Sequence, residues 1–265
     1  MGLDREQLRM TFDEDAPLYD RARPPYPPQA VADLTREARL GPGARVLEIG
    51  CGTGIFTEAL AERGLKVTAV EIGEHMAAAA RRRLATYADV EIAVCAFEEY
   101  DLPPERFDLV VAATSFHWVD PAVRVEKSAD ALRPGGALAI LQTTDVAGED
   151  GRFVAESQDC YLRYDPDVKL GFRLPTSEEL PREMAELDCS PRFAKVALRR
   201  YLWKRTYSAA AYRDLLRTYS AVRALGERGE RLADCVESLV NARFGGSITK
   251  QLLTELRIAT TPKDA

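Results

Sequence analysis

Short apolar runs alternate with amphipathic segments along the middle of the chain. Four of the runs are predicted strands, over residues 44–49, 66–72, 90–96 and 107–113. The segments between and after them have helical spacing, over residues 53–63, 74–85 and 123–132. The run 107–113 is nearly continuous in its apolar character, which is typical of a strand covered on both faces. Repeated β-then-α order predicts an α/β fold with a doubly wound, mostly parallel sheet.

The pattern is weaker on either side of residues 44–142. A proline-rich segment, 12–28, precedes a predicted helix at 29–39, and Arg133-Pro-Gly-Gly predicts a turn into a strand at 137–141. Residues 143–192 are predicted to form mainly short helices and loops. A strand at 193–207, helices at 209–225 and 228–242, and a last strand at 247–260 are predicted to follow. We therefore predict one domain over 1–265. Residues 1–43 would form an N-terminal cap with the first helix, residues 44–142 a ligand-binding core, and residues 143–265 the part that completes the sheet, with an inserted helical cap.

Composition narrows the class of protein. No window has the apolar run that a membrane span needs, and residues 1–10 lack the pattern of a secretory signal, so we expect a cytoplasmic location. The net charge of −6 argues against nucleic acid as a partner, because such binding depends on neutralising phosphates. Five scattered cysteines and two distant histidines predict neither a disulfide framework nor a metal site. Nothing in the composition sets the oligomeric state.

A glycine-rich string, Glu48-Ile-Gly-Cys-Gly-Thr-Gly, follows the first predicted strand. Glycine lacks a Cβ, so such a loop turns sharply and brings bare backbone close to a ligand, while the next helix offers free N–H groups. Ile55 stands where a nicotinamide-binding loop has its third glycine, which disfavours an NAD-dependent dehydrogenase. Glu48 suits a ligand with a positive group or hydroxyls better than a pyrophosphate.

A second acid, Glu71, ends the second predicted strand. In a parallel sheet it would stand at the same edge as the glycine loop. Its two carboxylate oxygens can accept hydrogen bonds from the two vicinal hydroxyls of a ribose. The pair of features predicts an adenosine-type ligand.

Several motifs, in this order and spacing, resemble the class I S-adenosylmethionine-dependent methyltransferases, specifically the small-molecule group. They are the glycine string, Glu71, Phe107-Asp-Leu-Val, Ser115-Phe-His-Trp-Val-Asp and Leu132-Arg-Pro-Gly-Gly-Ala-Leu. Tyr19-Asp-Arg-Ala-Arg-Pro-Pro-Tyr-Pro resembles the segment that covers the cofactor. The resemblance implies a Rossmann-like sheet of seven strands whose last strand, 247–260, runs antiparallel. It also implies that residues 44–142 bind S-adenosylmethionine, with S-adenosylhomocysteine as the product.

The resemblance further implies which positions touch the cofactor. The methionyl part would contact the loop and the end of the fourth strand, at Glu48, Gly50, Cys51, Gly52, Thr53, Gly54, Thr114 and Ser115. Glu71 would hold the ribose, and the adenine would contact Ile72, Met76, Ala96 and Phe97. Tyr19 and Arg23 would contact the cofactor's carboxylate, in Arg23's case as a charge-assisted pair.

His117 is the candidate catalytic residue, and Phe116, His117 and Trp118 are the candidate acceptor contacts. Histidine titrates near neutrality, so His117 suits a general base, while a structural histidine that anchors the loop is the alternative. The expected partner is a small-molecule acceptor of an O-, N- or C-methylation. A carboxylate acceptor is favoured by the likeness of Ser115-Phe-His-Trp to trans-aconitate methyltransferases.

Two other functions remain open from the sequence. An RNA or protein methyltransferase would use a basic stretch that contains no acid, made of Arg192, Lys195, Arg199, Arg200, Lys204 and Arg205. A solvated strand face is the simpler interpretation of that stretch. A non-catalytic protein that binds an adenosyl ligand is the third hypothesis.

Overall fold

Seven strands form one sheet in a computed structural model of the chain, which describes residues 5–103, 106–165, 167–168 and 171–263. The first four residues of the N-terminal segment 1–10, on which the prediction of no secretory signal partly rests, lie outside the described residues. The strands are β1 (Arg45–Ile49), β2 (Lys66–Glu71), β3 (Val90–Val94), β4 (Phe107–Ala113), β5 (Leu132–Val146), β6 (Lys195–Ser208) and β7 (Ser247–Thr260).

Helices connect and flank the strands. They are α1 (Arg5–Met10), α2 (Ala16–Ala22), α3 (Pro28–Glu37), α4 (Ile55–Ala61), α5 (Glu74–Arg83), α6 (Arg124–Ala131), α7 (Gly151–Tyr164), α8 (Ala185–Asp188), α9 (Ala209–Leu216), α10 (Ser220–Arg223) and α11 (Glu227–Arg243). Short 3₁₀ turns cover Thr11–Asp15 and Phe116–Trp118. Within the described residues, no helix combines the length and the apolar character that crossing a bilayer requires.

The sheet order is β3-β2-β1-β4-β5-β7-β6, and β1 to β5 are parallel. Strand β7 is antiparallel to β5. Thr254 contacts Thr143 and Thr261 contacts Gly136, so residue numbers rise along β7 in the direction in which they fall along β5. This topology confirms the predicted Rossmann-like sheet with an antiparallel last strand.

Residue contacts group the chain into two compact units. The helical unit comprises Met1–Pro24, Thr144–Leu180 and Leu202–Leu253, and the sheet unit comprises Pro25–Thr143, Pro181–Tyr201 and Thr254–Ala265. The organisation of residues 1–265 as one domain stays a prediction.

The sheet unit has an apolar core on each face of the sheet. On β1, Val46 packs into one core with Leu34 and Phe56, and the next residue, Leu47, packs into the other core with Phe116. Such alternation follows from the two-residue repeat of a strand, and burying each large side chain contributes about 1.5–3 kcal/mol. The edge of the sheet where β1, β2 and β4 end is thereby held on a rigid base.

The helical unit has a core of its own, built by α7, α9 and α11. A disulfide joins Cys160 on α7 to Cys235 on α11, with a Cα–Cα distance of 5.8 Å. The expectation of no disulfide from the cysteine spacing is therefore wrong. The two residues are 75 positions apart, and only the packing of the two helices side by side brings them together.

Three predicted elements differ from the structure. Strand β5 begins at Leu132, because Arg133 to Gly136 form a bulge between the Phe107–Leu132 and Leu109–Ala137 pairs, where a turn was expected. The segment 143–192 contains the 14-residue helix α7, whose inner face of Phe153, Ser157 and Cys160 is masked in the sequence by polar neighbours. The predicted helix 209–225 is broken, because Thr218 bonds back to the carbonyl of Leu215 and Tyr219 is extended.

Candidate functional site

The predicted glycine loop lies between β1 and α4 in the sheet unit. Gly50, Gly52 and Gly54 all adopt positive φ, at 67°, 57° and 83°, where a side chain is strained. A Cβ on Gly50 would also lie 2.7 Å from the Cβ of Ser115. The structure therefore explains the glycines: the loop turns left-handed at three points and presses bare backbone against the end of β4.

Glu71 ties this loop to the loop after β2. One carboxylate oxygen accepts the N–H of Gly52 at 2.8 Å, and the other accepts the N–H of Gly73 at 2.9 Å. The side chain is mostly buried, with the residue 8% exposed. A carboxylate oxygen has two lone pairs, so one carboxylate can accept several hydrogen bonds at once. Its position at the end of β2, beside the glycine loop, is the one that the sequence predicts.

Glu48, on β1, has its carboxylate enclosed by the protein. The residue is 1% exposed, and both oxygens lie outside hydrogen-bond geometry with every described group. Burial raises its pKa to about 8, with the Thr57 hydroxyl lowering it in part and the Glu71 charge raising it. The hydroxyl of Thr53 in the same loop is also enclosed without a partner. Buried polar atoms are normally bonded, so these oxygens fit a ligand with a positive group or donors.

Cys51 does not have the features of a reactive thiol. It is buried, and burial, followed by the charges of Glu71 and Glu48, raises the pKa of its thiol well above the usual value. The thiol therefore stays protonated at neutral pH. Its small size lets the loop bend, as the sequence suggests.

The end of β4 closes the other side of the loop. Thr114 is one of two described non-glycine residues with positive φ, at 59°, and the Ser115 hydroxyl donates to the carbonyl of Ile49 at the end of β1. Tyr26, which the sequence analysis did not assign, donates its hydroxyl to Thr114 Oγ1 at 3.0 Å. The signal for Tyr26 was present in the Pro-Pro-Tyr-Pro string. A strained threonine held from two sides is typical of a functional loop.

The predicted adenine contacts follow β2 and β3. Met76, Ala96 and Phe97 are buried, and Ile72 is half-buried directly after Glu71. The Cys95 N–H donates to the carbonyl of Glu71, so the ends of β2 and β3 are held side by side. The sheet unit thus places these four residues at the same edge as the glycine loop.

His117 lies in the 3₁₀ turn after β4, between the buried Phe116 and the half-buried Trp118. The residue is exposed, but its imidazole is partly shielded from water, which lowers its pKa below the usual value, and the nearby Arg124 charge lowers it further. Arg124 itself is held by a two-bond pair with Glu186, at 2.8 and 2.9 Å. His117 is therefore neutral at pH 7 and able to accept a proton.

Tyr19 and Arg23 belong to the helical unit. The Arg23 guanidinium lies 4.9 Å from the ring centres of both Tyr19 and Tyr219 and donates to the carbonyl of Thr218 at 2.9 Å. Its Nε is enclosed without a partner. These contacts show how Arg23 is held, and its role toward the cofactor's carboxylate stays a prediction.

Comparison with known proteins shows similarity to methyltransferases. Residues 47–140 match the family model described as a methyltransferase domain. An uncharacterized methyltransferase of Mycobacterium tuberculosis is 38% identical over 145 residues, which cover 54% of this chain and 56% of that protein. A malonyl-acyl-carrier-protein O-methyltransferase of Acetivibrio thermocellus is 28% identical, over 67% of this chain and 64% of that protein. The chain thus spans little more than half the length of its curated relatives.

A solved structure from Anaeromyxobacter dehalogenans, described as a proposed type II methyltransferase, shares the fold with a TM-score of 0.60, at 23% identity over 91% of this chain and 98% of that chain. Together with the glycine loop and the sheet order, these matches support a class I S-adenosylmethionine-dependent methyltransferase. They likewise support S-adenosylmethionine as the cofactor. The trans-aconitate-like subtype stays a prediction.

Replacing Gly50 with Ala tests the loop geometry. The Cβ collides with Ser115 and strains a positive φ, so we expect affinity for S-adenosylhomocysteine to fall at least about tenfold, as 1–3 kcal/mol of strain implies. Calorimetric titration measures this, with circular dichroism to show a retained fold. Gly41→Ala is the matched control, since a Cβ there meets nothing within 4 Å. Unchanged affinity in Gly50→Ala would contradict the geometry.

Proposed function

We propose that this protein transfers the methyl group of S-adenosylmethionine to a small-molecule acceptor by O-, N- or C-methylation. The main support for the proposal comes from the glycine loop. The Glu71 carboxylate holds this loop by a hydrogen bond, and the enclosed oxygens of Glu48 precede the loop at the end of β1. The Acetivibrio relative, named as an O-methyltransferase, supports a group-transfer role. When bound, the cofactor supplies an activated methyl group on a sulfonium, so the protein's own task is alignment and exclusion of water.

The predicted site residues of the sheet unit each have a role under this proposal. The bare backbone of the glycine loop lines the methionyl part, and Glu48, Thr53, Thr114 and Ser115 place oxygens near it. Glu71 accepts the ribose hydroxyls, and the adenine packs on Ile72, Met76, Ala96 and Phe97. His117, with Phe116 and Trp118, faces the acceptor and accepts a proton when the nucleophile arrives protonated.

The basic stretch gives no support to an RNA substrate. Its arginines and Lys204 mostly face acids: Arg192 pairs with Glu126 and Asp130, Arg199 with Glu37, Arg200 with Glu255, and Lys204 with Glu149. Paired cations have little charge left to offer to phosphates. A small-molecule acceptor is therefore favoured over nucleic acid.

Turnover tests the function and the role of His117 together. Formation of S-adenosylhomocysteine is measured with pooled hydroxylated, amine and carboxylate acceptors. We expect His117→Ala to lower turnover about 100-fold, the usual contribution of a general base, without changing affinity for S-adenosylhomocysteine. His75→Ala, the other histidine, is the matched control and should turn over normally. Equal turnover in both variants would remove His117 from the mechanism, and turnover by the wild type would exclude a purely binding role.

The raised pKa of Glu48 predicts that cofactor binding releases a proton. With a pKa of about 8, the carboxyl holds its proton at pH 7 in the free protein. A positive ligand group favours the ionised form, so binding should release nearly one proton at pH 7, and affinity should rise with pH up to about 8. Calorimetry in phosphate and in Tris, which differ in ionisation enthalpy, measures the released proton.

The control ligand for this experiment is 5′-methylthioadenosine, which has no charged group and should release no proton. Glu48→Gln should abolish the release seen with S-adenosylmethionine. Identical heats in both buffers for the wild type would show that Glu48 does not meet the ligand's positive group.

A further inference from the structure

The 3₁₀ turn Phe116–Trp118, which carries His117, is contacted by a side chain from α6. Arg124 Nη1 donates to the carbonyl of Phe116 at 3.2 Å, and the guanidinium lies 5.0 Å from the centre of the Phe116 ring. Phe116 is buried, at 2% exposed. One guanidinium therefore contacts both the backbone and the ring of the residue that precedes His117.

Glu186, on α8, holds this guanidinium in place. Its two carboxylate oxygens accept from Arg124 Nε and Nη2 at 2.8 and 2.9 Å. The side chains of Arg124 and Glu186 are 15% and 26% exposed, so water screens this pair less than a pair on the open surface. A two-bond pair fixes the plane of a guanidinium as well as its position. The remaining nitrogen, Nη1, is the one that bonds to the turn.

The short helix α8 is itself anchored in the sheet unit. Leu187, next to Glu186, is 1% exposed and belongs to the apolar core that also contains Phe116. At the start of the helix, Asp188 Oδ2 accepts the N–H of Met184 at 2.7 Å. Glu186 is therefore presented by a packed helix, and its bonds to Arg124 connect that helix to the turn.

The charge of Arg124 also acts on the His117 imidazole. Partial burial lowers the pKa of His117, and the positive charge of Arg124 lowers it further. Charged groups on the elements packed around the turn also include Glu98, Asp120, Lys127 and Glu186. The position of the turn and the charge beside it thus favour the same state, a neutral imidazole at a fixed place.

We propose that Arg124 is a positioning residue for His117: held by Glu186, it fixes the turn that carries the imidazole. The inference rests on the proposed function, in which His117 accepts a proton from the methyl acceptor. A general base must be aligned with the proton that it takes, and a displacement of about 1 Å can lower a rate by about 100-fold. Arg124 would act through the turn, and the geometry assigns it no contact with the reacting atoms.

Two variants separate the positioning role from the charge. Arg124→Lys keeps the positive charge but lacks the planar fork that fits a carboxylate, and Arg124→Met removes both. Each is made in His75→Ala protein, where His117 is the only histidine of the chain, and the imidazole resonance is titrated by NMR. The resonance also reports position, because it depends on the ring current of Trp118, whose ring centre lies 4.8 Å from that of His117.

We expect the pKa of His117 to rise in Arg124→Met, because a positive charge that opposes protonation is removed. The resonance of the neutral imidazole should move in both variants, because the turn is released. An unchanged pKa in Arg124→Met, or a wild-type resonance in both variants, would overturn the proposal. If Arg124→Met does not fold, Glu186→Gln removes the other half of the pair and should move the resonance as well, and a wild-type resonance there would overturn the proposal.

Arg192→Met is the matched control. Arg192 belongs to the segment that follows α8 and pairs with Glu126 and Asp130 on α6, both at 2.6 Å, so its removal breaks ion pairs to the same helix. The pKa and the resonance of His117 should stay at their wild-type values in this variant. Equal changes in Arg192→Met and Arg124→Met would show a general loosening around α6 and would contradict a specific role of Arg124.

Turnover with the pooled acceptors completes the test. We expect kcat at pH 7 to fall about tenfold in Arg124→Met, through misplacement of the base, with affinity for S-adenosylhomocysteine unchanged. Wild-type turnover in this variant would overturn the proposal. Failure of the proposed function would differ, since the wild type itself would then transfer no methyl group, while the NMR titration would still report whether Arg124 fixes His117.

Discussion

The contact on which the site depends is the carboxylate of Glu71 bridging two backbone amides. By accepting from Gly52 and Gly73, it fixes the loop after β1 to the loop after β2. Charge-assisted hydrogen bonds of this kind are stronger than neutral ones, and a buried carboxylate needs them to remain ionised. The glycines allow the left-handed turns, but Glu71 selects one arrangement among those that glycine permits.

The position of the loop that Glu71 fixes constrains the residues packed around it. Once the loop is pressed against β4, no side chain fits at Gly50, and Ser115 bonds to the end of β1. The same compaction encloses Glu48 without a partner and raises the pKa of its carboxyl. The site is therefore built with unmet polar capacity, which a charged nucleoside ligand is suited to satisfy.

Sequence alone predicted the sheet unit well, because its signals are local. Strand periodicity, the glycine string and Glu71 lie within about thirty residues, and β4 matches its predicted bounds. The helical unit was predicted poorly, since α7 carries its apolar face among polar residues and the Cys160–Cys235 pair depends on packing between distant segments. The ion pair of Lys250 with Asp145 could not be foreseen for the same reason, because the two residues are far apart in sequence and meet only in the fold.

The most direct test of the Glu71 account compares S-adenosylhomocysteine with its 2′-deoxy analogue by calorimetry. If Glu71 holds the ribose, the wild type should bind the deoxy analogue about 10- to 100-fold more weakly, the usual loss of a hydrogen bond to a charged group. In Glu71→Gln that difference should shrink to about threefold or less. Equal affinity of the wild type for both ligands would contradict the account.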